Sequence, residues 1–283
     1  MIETTKVGAS GAGWRRLGQC AASVAVVVLL AACGGGSDSS SSGGNNNGGG
    51  TAACSSSFTD SFGNSVSAAT LRTLPGADLV VADGSGGGSG GGDAGADGTG
   101  ADGAAIANTT IRITDVNGKS ISTTTDASGY FRVNIGGLKQ PLVASVERSG
   151  NAWKSAMVDV IQGCRSNFYT LNLTGLTDLV LSEVATAAGV SGGADAVTPA
   201  VLAANSARVS TAVQTVNTRV TAQLQAAGLD PATFNPLTSA FKADSTGYDK
   251  VLDSVTITKT SGGSTTIDTS GGSGSLTGKW SMT

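Results

Sequence analysis

The chain has 283 residues, a formal net charge of −3, 4% aromatic residues, 43 glycines and no histidine. The missing imidazole excludes Ser-His-Asp and Cys-His catalysis and removes the commonest zinc ligand, so an enzyme here would have to work through carboxylates, lysine or tyrosine. Mild acidity argues against nucleic acid as a partner, because neutralising phosphates needs clustered Lys and Arg.

Residues 1–32 carry Lys6, Arg15 and Arg16 ahead of an apolar segment from Ala21 to Ala32. That is the basic region and short apolar region of a secretory signal peptide. The apolar run falls short of the roughly 20 residues that a membrane-spanning helix needs. It ends in Leu30-Ala31-Ala32-Cys33, which resembles the lipobox of bacterial lipoproteins. The resemblance implies cleavage between Ala32 and Cys33 and a diacylglycerol thioether on the Cys33 sulfur, followed by acylation (palmitate or a similar chain) of the freed amine. Burial of acyl chains at about 0.8 kcal/mol per methylene makes two or more chains a stable anchor. Gly34, rather than Asp, follows the cysteine; by resemblance to lipoprotein sorting signals this points to the outer membrane, with the periplasmic or surface face left open. An ordinary secretory signal with an incidental cysteine is the competing reading. Loss of Glu3, Lys6, Arg15 and Arg16 on cleavage takes the formal charge from −3 to −5.

Residues 33–53 read as a flexible tether with a reach of about 25 Å, because from Gly34 to Gly50 they are Gly, Ser and Asn apart from a single charge at Asp38. A short segment, 54–83, follows and bears Cys54; within it Asp78-Leu79-Val80-Val81 reads as a strand. Export to an oxidising compartment makes Cys54 and Cys164 a candidate disulfide, with free or intermolecular thiols as the alternative. Residues 84–103 are a second glycine tract containing Asp93, Asp97 and Asp102. Without the apolar residues of a calcium-binding repeat, it reads as a solvated linker.

From 104 to 174 the pattern changes. Ile111 and Ile113 alternate before an Asp115-Val116-Asn117-Gly118 turn, and a β-branched run over 120–125 leads to the Asp126-Ala127-Ser128-Gly129 turn. Phe131, Val133 and Ile135 alternate next, as do Leu142, Ala144 and Val146, then Ala156, Val158 and Val160, then Tyr169, Leu171 and Leu173. Six short strands at this spacing predict an antiparallel β-sandwich. The stretch 103–111, the Asn117-Gly118 turn and Thr124-Thr125-Asp126-Ala127-Ser128-Gly129-Tyr130-Phe131 resemble the carboxypeptidase regulatory-like domain, a small prealbumin-type sandwich. The resemblance implies an accessory module that folds, spaces or binds, and not a peptidase. Asp126 is expected to accept backbone N–H bonds in its turn.

Residues 175–254 read as a helical region. Thr177 is the expected cap of a helix with Leu176, Leu179, Val180 and Val184 on its apolar side, ending near Gly189. Thr198-Pro199 opens a second helix whose stripe is Val209, Val213, Val216, Val220 and Leu224, stopping at Gly228. Asp230-Pro231 begins a turn bearing Phe234 and Leu237, and 247–253 is a short helix. Residues 255–283 read as a hairpin through Val255, Ile257 and Ile267 and a terminal strand with Leu276, Trp280 and Met282. The order of these C-terminal elements after the sandwich also resembles uncharacterised bacterial lipoproteins.

The expected fold is therefore a mainly β sandwich followed by a helical region and a C-terminal hairpin, with glycine-rich N-terminal segments. Asp178, Glu183, Asp249 and Asp253 are the acids available for acid–base work, and a solvated face is the expected role for them. Tyr248 and Trp280 are read as core caps in preference to sugar-stacking platforms. No catalytic residue, cofactor or metal is assigned. The expected function is a non-enzymatic, lipid-anchored envelope protein that binds or supports an envelope protein or glycan. A cell-surface carbohydrate-binding or adhesion protein is one alternative and a histidine-free hydrolase the other.

Overall fold

A computed structural model describes residues 56–80, 93–148, 151–159, 165–260 and 262–269, all within one compact unit that spans Gly48–Thr283. The expected signal segment with Ala32 and Cys33, the expected tether, both candidate disulfide cysteines, Val81, Val160 and the expected terminal strand through Leu276, Trp280 and Met282 lie outside the described residues.

The chain opens with a hairpin, β1 (Ser57–Thr59) and β2 (Ser65–Ser67), and a single helical turn, α1 (Ala68–Leu71). Phe58, Val66 and Leu71 bury their side chains with Phe168 in a small cluster of their own. Asp78 and Leu79, expected to be extended, lie in a 3-10 turn (Ala77–Leu79) instead. It starts at Gly76, which sits at φ 90, a left-handed conformation in which the chain turns rather than continues as a strand.

The second glycine tract gives the largest departure from expectation. Gly95–Ala101 is strand β3, and every one of its seven residues is buried. It pairs antiparallel with β6 (Tyr130–Asn134) and parallel with both β9 (Tyr169–Thr170) and β10 (Leu173–Thr174), so it is the centre of its sheet. Glycine here serves close approach, not flexibility. A Cβ on Gly98 would lie 2.1 Å from the Leu171 carbonyl oxygen, and one on Gly95 would lie 2.3 Å from the Phe168 ring. Asp93, Asp97 and Asp102, expected in solvent, are 3%, 0% and 7% exposed. The linker assigned to 84–103 therefore fails from residue 93 onward.

The second large sheet has the order β5-β4-β7-β8 and is antiparallel throughout. Its strands are β4 (Thr110–Thr114), β5 (Ser120–Thr124), β7 (Leu142–Arg148) and β8 (Asn151–Met157). The expected alternation holds, with Ile111, Ile113, Ile121, Ala144 and Val146 buried. Strand β8 lies earlier than expected: it takes Trp153 into the core and ends at Met157, so that Val158 falls after it. The last expected strand, through Tyr169, Leu171 and Leu173, is broken at Leu171-Asn172, where it crosses Gly98; the Asn172 amide then donates to the carbonyls of Pro236 and Ser239, at 3.2 and 2.8 Å.

Helix α2 (Gly175–Ala188) follows directly and lies along β8. Its cap is Thr174 rather than Thr177. The Thr174 hydroxyl accepts from the Thr177 amide, and the Thr177 hydroxyl accepts from the Thr174 amide, closing a reciprocal capping box. Gly189 ends the helix in the left-handed conformation. The first eight residues of α2 are buried on all sides, which marks a core helix rather than a surface one.

The long second helix is segmented into α3 (Pro199–Asn205), a 3-10 turn (Ser206–Arg208), α4 (Val209–Arg219) and α5 (Thr221–Ala226). Its expected cap at Thr198 is present, and its expected stripe from Val209 to Leu224 is buried, with α4 packed on α2 and α5 on α6. Helix α6 (Gly247–Asp253) and the hairpin β11 (Thr256–Lys259) and β12 (Thr265–Asp268) complete the described chain. Helix and strand are nearly equal in extent, so "mainly β" is too narrow a description of these several sheets and their helices. One apolar core runs continuously from Ala94 through both large sheets and α2 to Ile257, across the expected boundaries at 103/104 and 174/175.

Candidate functional site

Two polar clusters and two surface clefts stand out. The first cluster follows from strand alternation: Phe131 and Val133 of β6 point into the core, so Tyr130 and Arg132 project from the opposite face. The β3–β6 register sets Asp97 across from Arg132, and the loop after β1 brings Asp60 and Ser61 over both. The Tyr130 hydroxyl donates to Asp97 Oδ2 at 2.7 Å and lies 3.3 Å from Asp60 Oδ2. Arg132 donates to the Tyr130 oxygen at 3.0 Å and forms an ion pair with Asp60. Ser61 donates its backbone N–H to Asp97 at 2.8 Å and its hydroxyl to the other carboxylate oxygen.

The two carboxylates of this cluster titrate in opposite directions. Burial raises Asp97, aided by the nearby charge of Asp60 and only partly offset by its hydrogen bonds to Ser61 and Tyr130. Burial also acts on Asp60, but hydrogen bonds from Asn64, Arg132 and the Phe62 amide outweigh it and hold that carboxyl low. Opposed pKa shifts on neighbouring carboxylates are the pattern of an acid–base pair. Here, however, protein donors occupy oxygens on both groups, which is the chemistry of a staple between the N-terminal hairpin and β3.

The second cluster lies where β11, β12, α2 and β8 meet. Lys259 Nζ is 3.0 Å from Asp178 Oδ1 and 2.7 Å from Asp195 Oδ1, and it also donates to the Ala152 carbonyl. The side chains of Lys259 and Asp178 are 2% and 0% exposed, whereas that of Asp195 is 45% exposed. Asp178 also accepts from the Lys154 amide at 3.0 Å and from the Thr265 hydroxyl. Burial pushes the Asp178 carboxyl up, against the pull of Lys259 and these hydrogen bonds. The Trp153 ring lies 5.7 Å from Lys259 Nζ.

The expected solvated face of acids is thus corrected twice. Asp178 sits in this buried cluster, and Asp249 is 2% exposed, with Oδ1 lacking a hydrogen-bond partner and Oδ2 accepting from the Ser245 amide at 2.7 Å. Glu183 pairs with Arg219 at 2.7 Å, and the side chain of Asp253 lies beside Gly103. Asp126 does what its turn demands, accepting from the Ser128 and Tyr130 amides at 2.8 and 3.0 Å. Tyr248 is a buried core cap, its hydroxyl 2.8 Å from that of Thr174.

A cleft of 340 Å³ opens beside Tyr248 and is lined by Leu229, Phe234, Phe241 and Lys242. Lys242 also reaches over the Phe62 ring at 5.3 Å, and Phe62 in turn meets Tyr130 at 5.2 Å between centroids. The cleft and the first cluster therefore share one surface. A second cleft of 450 Å³ is lined by Glu183, Asn205, Arg208, Thr211 and Thr215. Among the described residues no helix is long and apolar enough to cross a membrane, and no group of three or more His, Cys, Asp or Glu side chains could hold a metal.

Sequence reasoning missed Asp60, Asp97, Arg132 and Lys259. Arg132 and Tyr130 had a signal, since they alternate with buried positions; Asp97 was hidden by the glycines around it. No family model, no curated protein and no solved structure matches this chain.

Proposed function

We propose that the protein is a lipid-anchored, non-enzymatic envelope protein whose folded part is a binding or structural accessory module at the bacterial outer membrane. The observation that carries this reading is Leu30-Ala31-Ala32-Cys33, placed after a basic and apolar leader and before a tether of Gly, Ser and Asn. The order of basic region, apolar run, small residues and cysteine supplies every element that lipidation needs, and the tether keeps the fold clear of the headgroups. The polar clusters support the non-enzymatic part, because their carboxylates are engaged by protein donors.

We read the two large sheets as a carboxypeptidase regulatory-like sandwich. Support comes from the tight turns at 115–118 and 126–129 and from the inward alternation of Ile111, Ile113, Phe131 and Val133. The defining experiment is fractionation of cells expressing the full chain and its Cys33→Ser variant. The native chain is expected in the detergent-extracted membrane fraction and the variant in the aqueous fraction. Equal partition of the two contradicts the proposal.

A carbohydrate-binding role is the second reading, favoured by the half-buried Phe62–Tyr130 pair flanked by Lys242 and Arg132. Affinity electrophoresis against envelope polysaccharide, with Phe62→Ala as the control, tests it. Retardation that Phe62→Ala abolishes supports this reading, and unchanged mobility of the native chain removes it.

A further inference from the structure

Lysine is a nucleophile once it is desolvated and neutral, and a carboxyl group accepts it once protonated. Both conditions favour the neutral forms and so favour burial. The contact between Lys259 Nζ and Asp178 Oδ1, at 3.0 Å, is between two side chains that are almost completely buried. Such an ion pair loses the hydration of two charges, whereas an amide in the same place carries none.

The geometry points to a covalent amide between Lys259 and Asp178, formed within the folded chain. Its parts are all in position. The Lys154 amide donates to Asp178 Oδ1, the oxygen that becomes the amide carbonyl, and the Thr265 hydroxyl donates to Oδ2, the oxygen that departs. The Asp195 carboxylate, 2.7 Å from Nζ and partly open to solvent, is placed to carry a proton. It is a positioning and proton-transfer group, and the amide forms elsewhere.

The step balances without an oxidant or cofactor. A proton passes from the Lys259 ammonium to the Asp178 carboxylate, which gives the neutral pair. The Nζ lone pair then attacks Cγ of Asp178, the C–Oδ2 bond breaks, and Oδ2 leaves as water. That water takes the carboxyl proton and one proton from the nitrogen, handed over through Asp195, which ends as it began. Fixed proximity supplies the rate that dilute amine and carboxylate lack, because well-oriented groups react as though at about 10⁵ M or more. The closed surroundings release the water and shield the bond from hydrolysis.

The test is a tryptic peptide map of the purified full chain under denaturing conditions. With the amide present, trypsin cannot cut after Lys259, and residues 166–208 appear joined to residues 251–279 at the summed mass less one water. Fragmentation places the missing water on Asp178 and Lys259. Recovery of a separate 251–259 peptide with an unmodified 166–208 peptide overturns the inference, and location of the lost water on Asp195 overturns the assignment to Asp178. Lys259→Arg keeps the charge but not the nucleophile, and the joined species is expected to vanish. Asp195→Ala is expected to slow its appearance about 10²-fold after refolding. Formation at the native rate in Asp195→Ala overturns the role given to that residue.

Discussion

Both polar clusters centre on two aspartates and one cation, with the Lys154 ammonium beside the second, yet they solve different problems. In one, Arg132 keeps part of its side chain in water and shares the Tyr130 hydroxyl with Asp97 while pairing with Asp60. In the other, Lys259 and Asp178 are both withdrawn from water, and Asp195 is the member left at the surface. Arginine offers a planar fork that can bridge two acceptors, whereas lysine presents one compact ammonium. The first cluster is therefore a fixed staple for the N-terminal hairpin. The second holds a cation and a carboxylate together out of water. The cation and its exposure, not the number of carboxylates, separate the two.

The sharpest way to break this comparison is to remove the lysine. Lys259→Met leaves Asp178 buried without its cation and unable to form the amide, and is expected to lower unfolding free energy in urea by at least about 3 kcal/mol. A loss near zero would mean that water reaches Asp178. Next in size is Gly98→Ala. Its methyl group would collide with the Leu171 carbonyl and move β3, Asp97 with it, at a cost of about 3 kcal/mol in the same measurement. Tolerance of alanine there would show that β3 is not clamped by its parallel neighbours.

Arg132→Lys sharpens the contrast from the other side. It keeps the charge but loses the fork that joins Tyr130 to Asp60, and is expected to cost about 2 kcal/mol. The smallest effect is on pH dependence. The lowered pKa of Asp60 contributes stability that is present above its unfolded value near 3.8 and is lost as the pH falls through the folded value. The raised pKa of Asp97 works oppositely: stability present below its unfolded value is lost as the pH rises through the folded one. Asp97→Asn is therefore expected to remove the loss on the alkaline side of pH 3.8 and to leave the acid limb that belongs to Asp60. Parallel profiles for native and variant chains, measured by urea unfolding across this range, would contradict those directions.

Much of the fold was legible where one local rule decided it. Ile111 and Ile113, the Asp126 turn, the Thr198-Pro199 start and the Val209 to Leu224 stripe follow from periodicity and capping, and the structure has them. The failures share a cause. Gly95 and Gly98 look like flexible filler in composition, but what settles their role is the close approach of Phe168 and Leu171, residues roughly seventy positions away. The candidate sites failed for the same reason. Asp97 meets Ser61 and Tyr130, and Asp178 meets Lys259, across separations of 36, 33 and 81 residues that no local pattern encodes. The break in the long helix at 206–208 also has no glycine or proline to announce it.

The central claim concerns the cysteine at the head of the tether, and the most direct measurement is the mass of the N-terminal peptide from the membrane-extracted mature chain. The account predicts a peptide that begins at Cys33 and carries a diacylglyceryl thioether, with a further acyl group where the amine is modified. A peptide that begins at Met1, or one that begins at Cys33 with a free thiol and free amine, would contradict it.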